Sequence, residues 1–237
     1  MRTILLLGMF TASLASAAWS DYQETRDLRL DAGGIDTVKI DAGAGSLEVR
    51  GSADADTISV TALVQVPGKK EEKALEIIES DLVLSLERDE DKAVLKGYFE
   101  SNGWGWGDSP SVRLEVVVPG HLALDIDDSS GSIKIQDVSG DIEIDDSSGS
   151  LEMTNVGGDI RIEDGSGSVN VKGVGGDISI SDGSGSITVN DVRGSVVIDD
   201  GSGSINVFDV DADLIIEDDG SGSLNFARIS GSVEKED

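Results

Sequence analysis

Asp164-Gly-Ser-Gly-Ser-Val-Asn-Val171 returns eighteen residues later as Asp182-Gly-Ser-Gly-Ser-Ile-Thr-Val189, and again as Asp200-Gly-Ser-Gly-Ser-Ile-Asn-Val207. The same phrase opens at Asp128 and Asp146 with Ser in place of the first Gly, and at Asp219 after a step of 19. Each 18 contains a half-repeat of nine, because Asp137-Val-Ser-Gly-Asp-Ile-Glu-Ile144 and Asp191-Val-Arg-Gly-Ser-Val-Val-Ile198 have the same shape. The unit is Asp, x, x, Gly, Ser/Asp, apolar, x, apolar, x. Self-similarity at a fixed short period is the mark of a stacked repeat architecture.

The two apolar positions of each unit are two apart, as in Ile142/Ile144, Leu151/Met153, Ile160/Ile162 and Ile178/Ile180, with polar residues such as Glu143, Glu152 and Arg161 between them. Period two over so few residues means very short strands with one buried face. Gly, Asp and Ser supply the turns, since Gly tolerates positive φ and a short polar side chain can bond the backbone two residues on. The second position alternates between small residues (Ser129, Ser147, Gly165, Gly183, Gly201, Gly220) and branched ones (Val138, Val156, Val174, Val192, Val210, Ile229). One coil is therefore 18 residues with two different corners, one slim and one tucking Val or Ile under the core. Such strands cannot bury a face alone, but stacked coils share one interior. The expected fold is all-β: a two-sided parallel β-solenoid of about six coils, roughly 29 Å long at the ~4.8 Å strand spacing. An antiparallel meander is the alternative, and gives no reason for an 18-residue identity.

Upstream the scheme is eroded. Val38/Ile40, Leu47/Val49 and Ile58/Val60 keep the paired pattern at broken spacings, and Ile58 to Val66 reads as one longer strand. Ala74, Leu75 and Ile78 have helical spacing, with Glu and Lys outside. Leu82 to Glu87 and Ala93 to Phe99 alternate around Arg88-Asp-Glu-Asp91 as a hairpin, and Val112 to Pro119 is a further strand. The expected organisation is a signal peptide at 1–17, degenerate β-repeats at 18–66, a helix-hairpin insertion or cap at 67–118 and regular solenoid repeats at 119–237. At the C-terminus, Lys235 replaces an apolar position and the charged Glu234-Lys-Glu-Asp237 discourages edge pairing.

The leader reading rests on Arg2, the apolar run Ile4 to Phe10 and the small residues Ala15-Ser16-Ala17, with cleavage expected after Ala17. A buried N-terminal helix fits these flanks less well. Export to the periplasm, the cell surface or the medium is the implied localisation. With no cysteine, lipoprotein anchoring, disulfides, thiolate metal sites and a cysteine nucleophile are excluded, and no later run of about 18 apolar residues could span a bilayer.

The 237 residues carry a formal net charge of −29. Nucleic acid and anionic lipid need a positive face, so both are excluded as partners. Residues 121–237 hold 26 acids and 6 bases, which places −20 of the charge on the repeats. One corner column holds Asp128, Asp146, Asp164, Asp182, Asp200 and Asp219, and the residue before is often acidic too, as with Asp145, Glu163 and Asp199. Stacked at about 5 Å, neighbouring charges repel by ~0.8 kcal/mol even in bulk water. Two readings are open. Each first Asp caps its own turn while its neighbour points to solvent, or Ca²⁺ bridges adjacent coils as the one cofactor the chain could hold. The capping reading needs no added ligand and is taken first.

Trp104 and Trp106 in Gly103-Trp-Gly-Trp-Gly107 are candidates for a sugar-stacking platform, or for capping a hydrophobic end. His121 is the only histidine and follows Pro119-Gly120 at the start of a strand, a poor place for a catalytic base. Serines lie in turns, and no Gly-x-Ser-x-Gly elbow occurs. Paired acids could hydrolyse polysaccharides, but a catalytic pair should stand out from its repeats, and these acids look alike. No catalytic residue is assigned.

The Asp-Gly-Ser-Gly-Ser-apolar-x-apolar phrase, together with Val118-Pro-Gly-His-Leu-Ala-Leu124, resembles a bacterial β-strand-repeat family labelled "putative adhesin", a domain of unknown function. The resemblance covers most of the chain beyond residue 17. It implies the solenoid architecture and brings no catalytic residues; the acidity of the turns departs from it. The expectation is an exported, non-enzymatic adhesin or cell-envelope interaction module with its sheet faces as binding surface and a surface or envelope glycan or protein as partner. A Ca²⁺-stabilised structural solenoid is the alternative, with a carbohydrate-active enzyme more distant.

Overall fold

The computed structural model describes residues 21–100 and 109–236. From residue 123 onward the chain winds as a parallel β-solenoid. Its first coil is the single bent strand β7 (Ala123–Val138), preceded among the described residues by six strands and one helix. The following coils are pairs: β8 (Ile142–Asp146) with β9 (Gly149–Val156), β10 (Ile160–Asp164) with β11 (Gly167–Val174), and β12 (Ile178–Asp182) with β13 (Gly185–Val192). Then come β14 (Val196–Asp200) with β15 (Gly203–Val210), β16 (Leu214–Asp218) with β17 (Ser223–Ile229), and the half-coil β18 (Val233–Lys235).

The register puts like on like. Ile142 lies beside Ile160, Ile160 beside Ile178 and Ile178 beside Val196 in one sheet. Leu151, Val169, Ile187 and Ile205 stack in the other. All pairings from β7 to β18 are parallel. The 18-residue identity is thus the coil length, and the meander is not the fold. Both apolar residues of each strand from β8 to β16 are buried, with Val171, Val189, Ile198 and Val207 wholly so, whereas Phe226 and Val233 in the last coils are exposed. The corner valines Val138, Val156, Val174, Val192 and Val210 are buried as well, at 0–2% exposure. Each such side chain taken from water contributes about 1.5–3 kcal/mol, so the interior is held by repetition of one small unit.

The upstream half is threaded differently from its order in sequence. β2 (Thr37–Ser52) is a full bent coil that pairs along its length with β7, Val38 opposite Leu124 and Leu47 opposite Ile133, although 86 residues separate the partners in each pair. On its far side β2 is covered by β5 (Lys92–Phe99) and β6 (Ser111–Pro119), which together make one more coil. Antiparallel strands then close this end: β4 (Leu82–Asp89) on β5, β3 (Thr57–Val66) on β6, and β1 (Tyr22–Asp31) on β3. Of segment 18–66, then, only β2 follows the coil path. β5 and β6, from segment 67–118, are ladder members rather than an appendage.

Helix α1 (Glu71–Asp81) packs on a small satellite core of Val64, Val66, Ala74, Ile77 and Ile78. The helical spacing expected from Ala74, Leu75 and Ile78 is corrected in one respect. Leu75 is 43% exposed and Ile77 is buried in its place, because the helix meets β3 along the 74, 77, 78 stripe. Among the described residues no helix is long and apolar enough to cross a membrane.

Candidate functional site

The two sheets present different surfaces. Strand alternation sends Ser168, Asn170, Ser186, Thr188, Ser204, Asn206, Ser223 and Asn225 outward from the β11–β17 side. Ser223 Oγ donates to Ser204 Oγ at 3.1 Å, and Asn225 Nδ2 donates to Asn206 Oδ1 at 3.2 Å, so polar groups are ordered from coil to coil. In the β7 and β9 coils the same track carries the pair Lys134 and Glu152. The opposite sheet faces solvent with Asp125, Asp127, Glu143, Asp145, Glu163 and Asp199. A shallow groove of about 560 Å³ runs along its margin, lined among others by Asp125, Asp141, Glu143, Asp159, Arg161 and Asp177. Arg161 there bonds Glu163 at 2.5 Å.

The groove's corner acids are already engaged. Asp141 Oδ1 accepts the Asp159 N–H at 2.9 Å, Asp159 Oδ1 accepts that of Asp177 at 2.8 Å, and Asp177 Oδ1 accepts that of Ser195 at 2.7 Å. Asp213 repeats this on Ser232, whose amide and hydroxyl hold the Asp213 carboxyl below the usual carboxylate range. These acids staple one coil to the next. Their role was not read from the sequence, although the alternation of Asp and Ser at the fifth position of the unit carries the signal.

The acid column at the slim corner is divided by strand parity. Asp128, Asp146, Asp164, Asp182 and Asp200 face inward at 0–5% exposure, whereas Asp145, Glu163 and Asp199, one residue earlier, point to solvent. The inward acids stack in register, Asp128 beside Asp146, then Asp164, Asp182 and Asp200. Asp146, Asp164, Asp182 and Asp200 each accept, through Oδ1, the N–H of the residue two positions on, at 3.0–3.1 Å. That is the turn-capping geometry. Adjacent residues of a strand point to opposite faces, so the two acids of each coil do not share a side. Among the described residues no group of three or more His, Cys, Asp or Glu side chains is placed to hold a metal ion.

Asp219 does not join the column. The ladder shifts after Ile198, so that Asp199 pairs with Asp218. Asp219 is left half-buried, with Lys235 Nζ 3.0 Å away, and Asp218 Oδ1 takes the capping bond, from Gly220 N–H at 2.8 Å. His121 is exposed in the turn between β6 and β7. Trp104 and Trp106 lie outside the described residues, as does the 1–17 leader.

No family model matches this chain, and no curated protein matches it in sequence. Its likeness is to solved structures. It is similar to a "putative cell adhesion protein" from Clostridium sporogenes, at 11% identity and TM-score 0.39, covering 90% of this chain and 99% of that one. It is similar to a "putative adhesin" from Bacteroides fragilis, at 10% identity and TM-score 0.39, covering 92% and 99%. A "putative lipid binding protein" from Parabacteroides distasonis is matched at 18% identity and TM-score 0.38, covering 91% and 97%.

Proposed function

We propose that the chain is an exported, non-enzymatic adhesin or cell-envelope interaction module that makes contact through the outer face of the β9–β17 sheet. One observation carries this reading: on a molecule of net charge −29, β11, β13 and β15 stack hydroxyl and amide side chains on that face, centred on Asn170, Thr188 and Asn206. Side chains that both donate and accept, repeated at the ~4.8 Å coil spacing, suit an extended uncharged surface such as an envelope glycan or a protein strand. The leader at 1–17 supplies the route out of the cytoplasm. Trp104 and Trp106, which fall between β5 and β6 in sequence, would add stacking on sugar rings.

The test is binding of the purified chain to immobilised envelope polysaccharides and to intact bacterial cells. Saturable binding is expected, lost in Asn170→Asp/Thr188→Asp/Asn206→Asp and kept in Ser179→Asp/Ser181→Asp on the other face. Equal binding by both variants would overturn the reading, as would no binding to any surface. In a second arm, binding unchanged by Trp104→Ala with Trp106→Ala would remove the sugar platform.

A further inference from the structure

We propose that the inward carboxyls of Asp128, Asp146, Asp164, Asp182 and Asp200 form a proton-binding column: in mildly acidic solution the folded solenoid carries them as neutral acids, and their ionisation on the way to alkaline pH loosens it. This device is built into the coil and is independent of what the outer faces bind.

The argument starts from satisfaction of polar atoms. Oδ1 of Asp146, Asp164, Asp182 and Asp200 is bonded to a turn N–H, but Oδ2 of the same four residues is buried without any hydrogen-bond partner. An ionised carboxylate with one oxygen in that position loses its hydration on one side with nothing in exchange. The parallel register then sets each carboxyl next to another of the same kind, one coil above and one below. Two negative charges at the coil spacing repel more strongly in the interior than in water, because the dielectric is lower. Protonation removes the desolvation penalty and the repulsion together.

Among the described residues no cation acts on the column. The preceding acids Asp127, Asp145, Glu163 and Asp199 point the other way on the same strands, and Ser181 takes that place before Asp182. At one end the column stops beneath Ala42, with Asp41 and Lys39 on that strand facing outward. At the other it meets Asp218 and Asp219, the latter paired with Lys235. The facing sheet turns Ile133, Leu151, Val169, Ile187 and Ile205 inward, all apolar. The groups that act on the column are backbone N–H groups, which favour the charged form, and further carboxylates, which oppose it.

Desolvation wins. Burial first, then the Asp146 charge, pushes Asp128 up to about 7. Burial pushes Asp146 and Asp182 up to about 6 against the pull of the Ser148 and Ser184 amides, and raises Asp164 and Asp200 as well. The unfolded chain releases these protons near the ordinary value of 3.8. Between about pH 4 and pH 7 the folded state therefore holds more protons than the unfolded state, and stability falls as pH rises through that window. This is the reverse of ordinary acid denaturation.

The decisive experiment is a carbon-detected NMR titration of the aspartate carboxyls in the full chain, with thermal unfolding from pH 4 to 8 alongside. Both are run in 0.5 M NaCl to screen repulsion between surface charges. Asp128, Asp146 and Asp182 should titrate around pH 6–7, and Asp164 and Asp200 above the ordinary carboxylate range, after Asp213 has finished. The unfolding midpoint should climb by several degrees as pH is lowered from 8 to 5. Asp146→Asn, Asp164→Asn and Asp182→Asn keep the capping oxygen and cannot ionise, so each should raise the midpoint at pH 8 and flatten its pH dependence. If an Asn variant fails to fold, the wild-type titration decides alone. Column carboxyls that titrate at 3.8 or below, or a midpoint that falls on acidification to pH 5, would overturn the proposal.

Discussion

Gly167 lies directly over Gly149, and a Cβ placed on Gly167 would be driven into the Gly149 carbonyl oxygen. Both residues have positive φ, 146° and 154°, and the contact recurs from Gly131 to Gly203 along the slim corner. Glycine is required here twice over, by backbone angle and by the approach of the coil below. Gly167→Ala should cost about 3 kcal/mol or more, seen as a lower urea midpoint. An unchanged midpoint would show that the corner can open without penalty.

Ile180 is buried at 2% exposure, and its neighbours in the ladder are Ile162 and Ile198. Coils above and below are fixed by their own ladders, so the space left by Ile180→Ala cannot collapse. A loss of about 2–5 kcal/mol is expected, against little change for Ser179→Ala on the adjacent outward position. Amide exchange should quicken in the coils on both sides of the lesion, since each repeat depends on its neighbours.

Asp177 staples two coils by accepting the Ser195 N–H. Asp177→Ala should cost roughly 1 kcal/mol and speed hydrogen exchange at the Ser195 amide in particular. Asp177→Asn retains an acceptor oxygen and should restore most of the protection. Equal exchange in all three proteins would assign the staple no energetic role.

Glu217 is the extra residue behind the 19-residue step, and the register shift falls there. Deleting it should remove the bulge in β16 and bring Asp219 beneath Asp200 as a sixth inward acid, while β17 keeps the register it already has on β15, Leu224 beside Ile205 and Phe226 beside Val207. Leu224 and Ile229, now only partly buried, should become better protected in hydrogen exchange. Faster exchange in β17 after the deletion would mean that the bulge supports the last coil.

The outward acids repel one another across a net charge of −29, and no chelating cluster is formed by the described residues. Added NaCl should therefore raise the unfolding temperature at pH 8 by screening. Millimolar CaCl₂ should do no more than NaCl of equal ionic strength. A saturable rise at micromolar Ca²⁺ would reveal a specific site.

Much of the fold was legible in the sequence because a solenoid writes its coil length directly into its repeat. Ile142, Ile160 and Ile178 are in register simply because each is 18 residues from the next, and the alternation around them names the inward face. The upstream half was less legible for a physical reason. β2 pairs with β7 across 86 residues and also with β5 and β6, so its partners are set by long-range packing and leave no local period. β1 carries alternation but no repeat, and its antiparallel pairing with β3 follows from closing an open edge.

The acids make the same distinction at the level of single residues. Asp128 and Asp137 both open a nine-residue unit, one at the slim corner and one at the Val-bearing corner, but nothing in the sequence says which of the two is buried. In the structure Asp128 is 3% exposed and faces inward, while Asp137 is exposed in the left-handed conformation at φ 60°. The sequence by itself determined the coil length, the inward apolar pair and the two corner types, because these are local and periodic. Only the tertiary structure decided which acids are buried, which staple the coils and which meet solvent, because that depends on the parity of each strand at its corner and on the coil stacked beneath it.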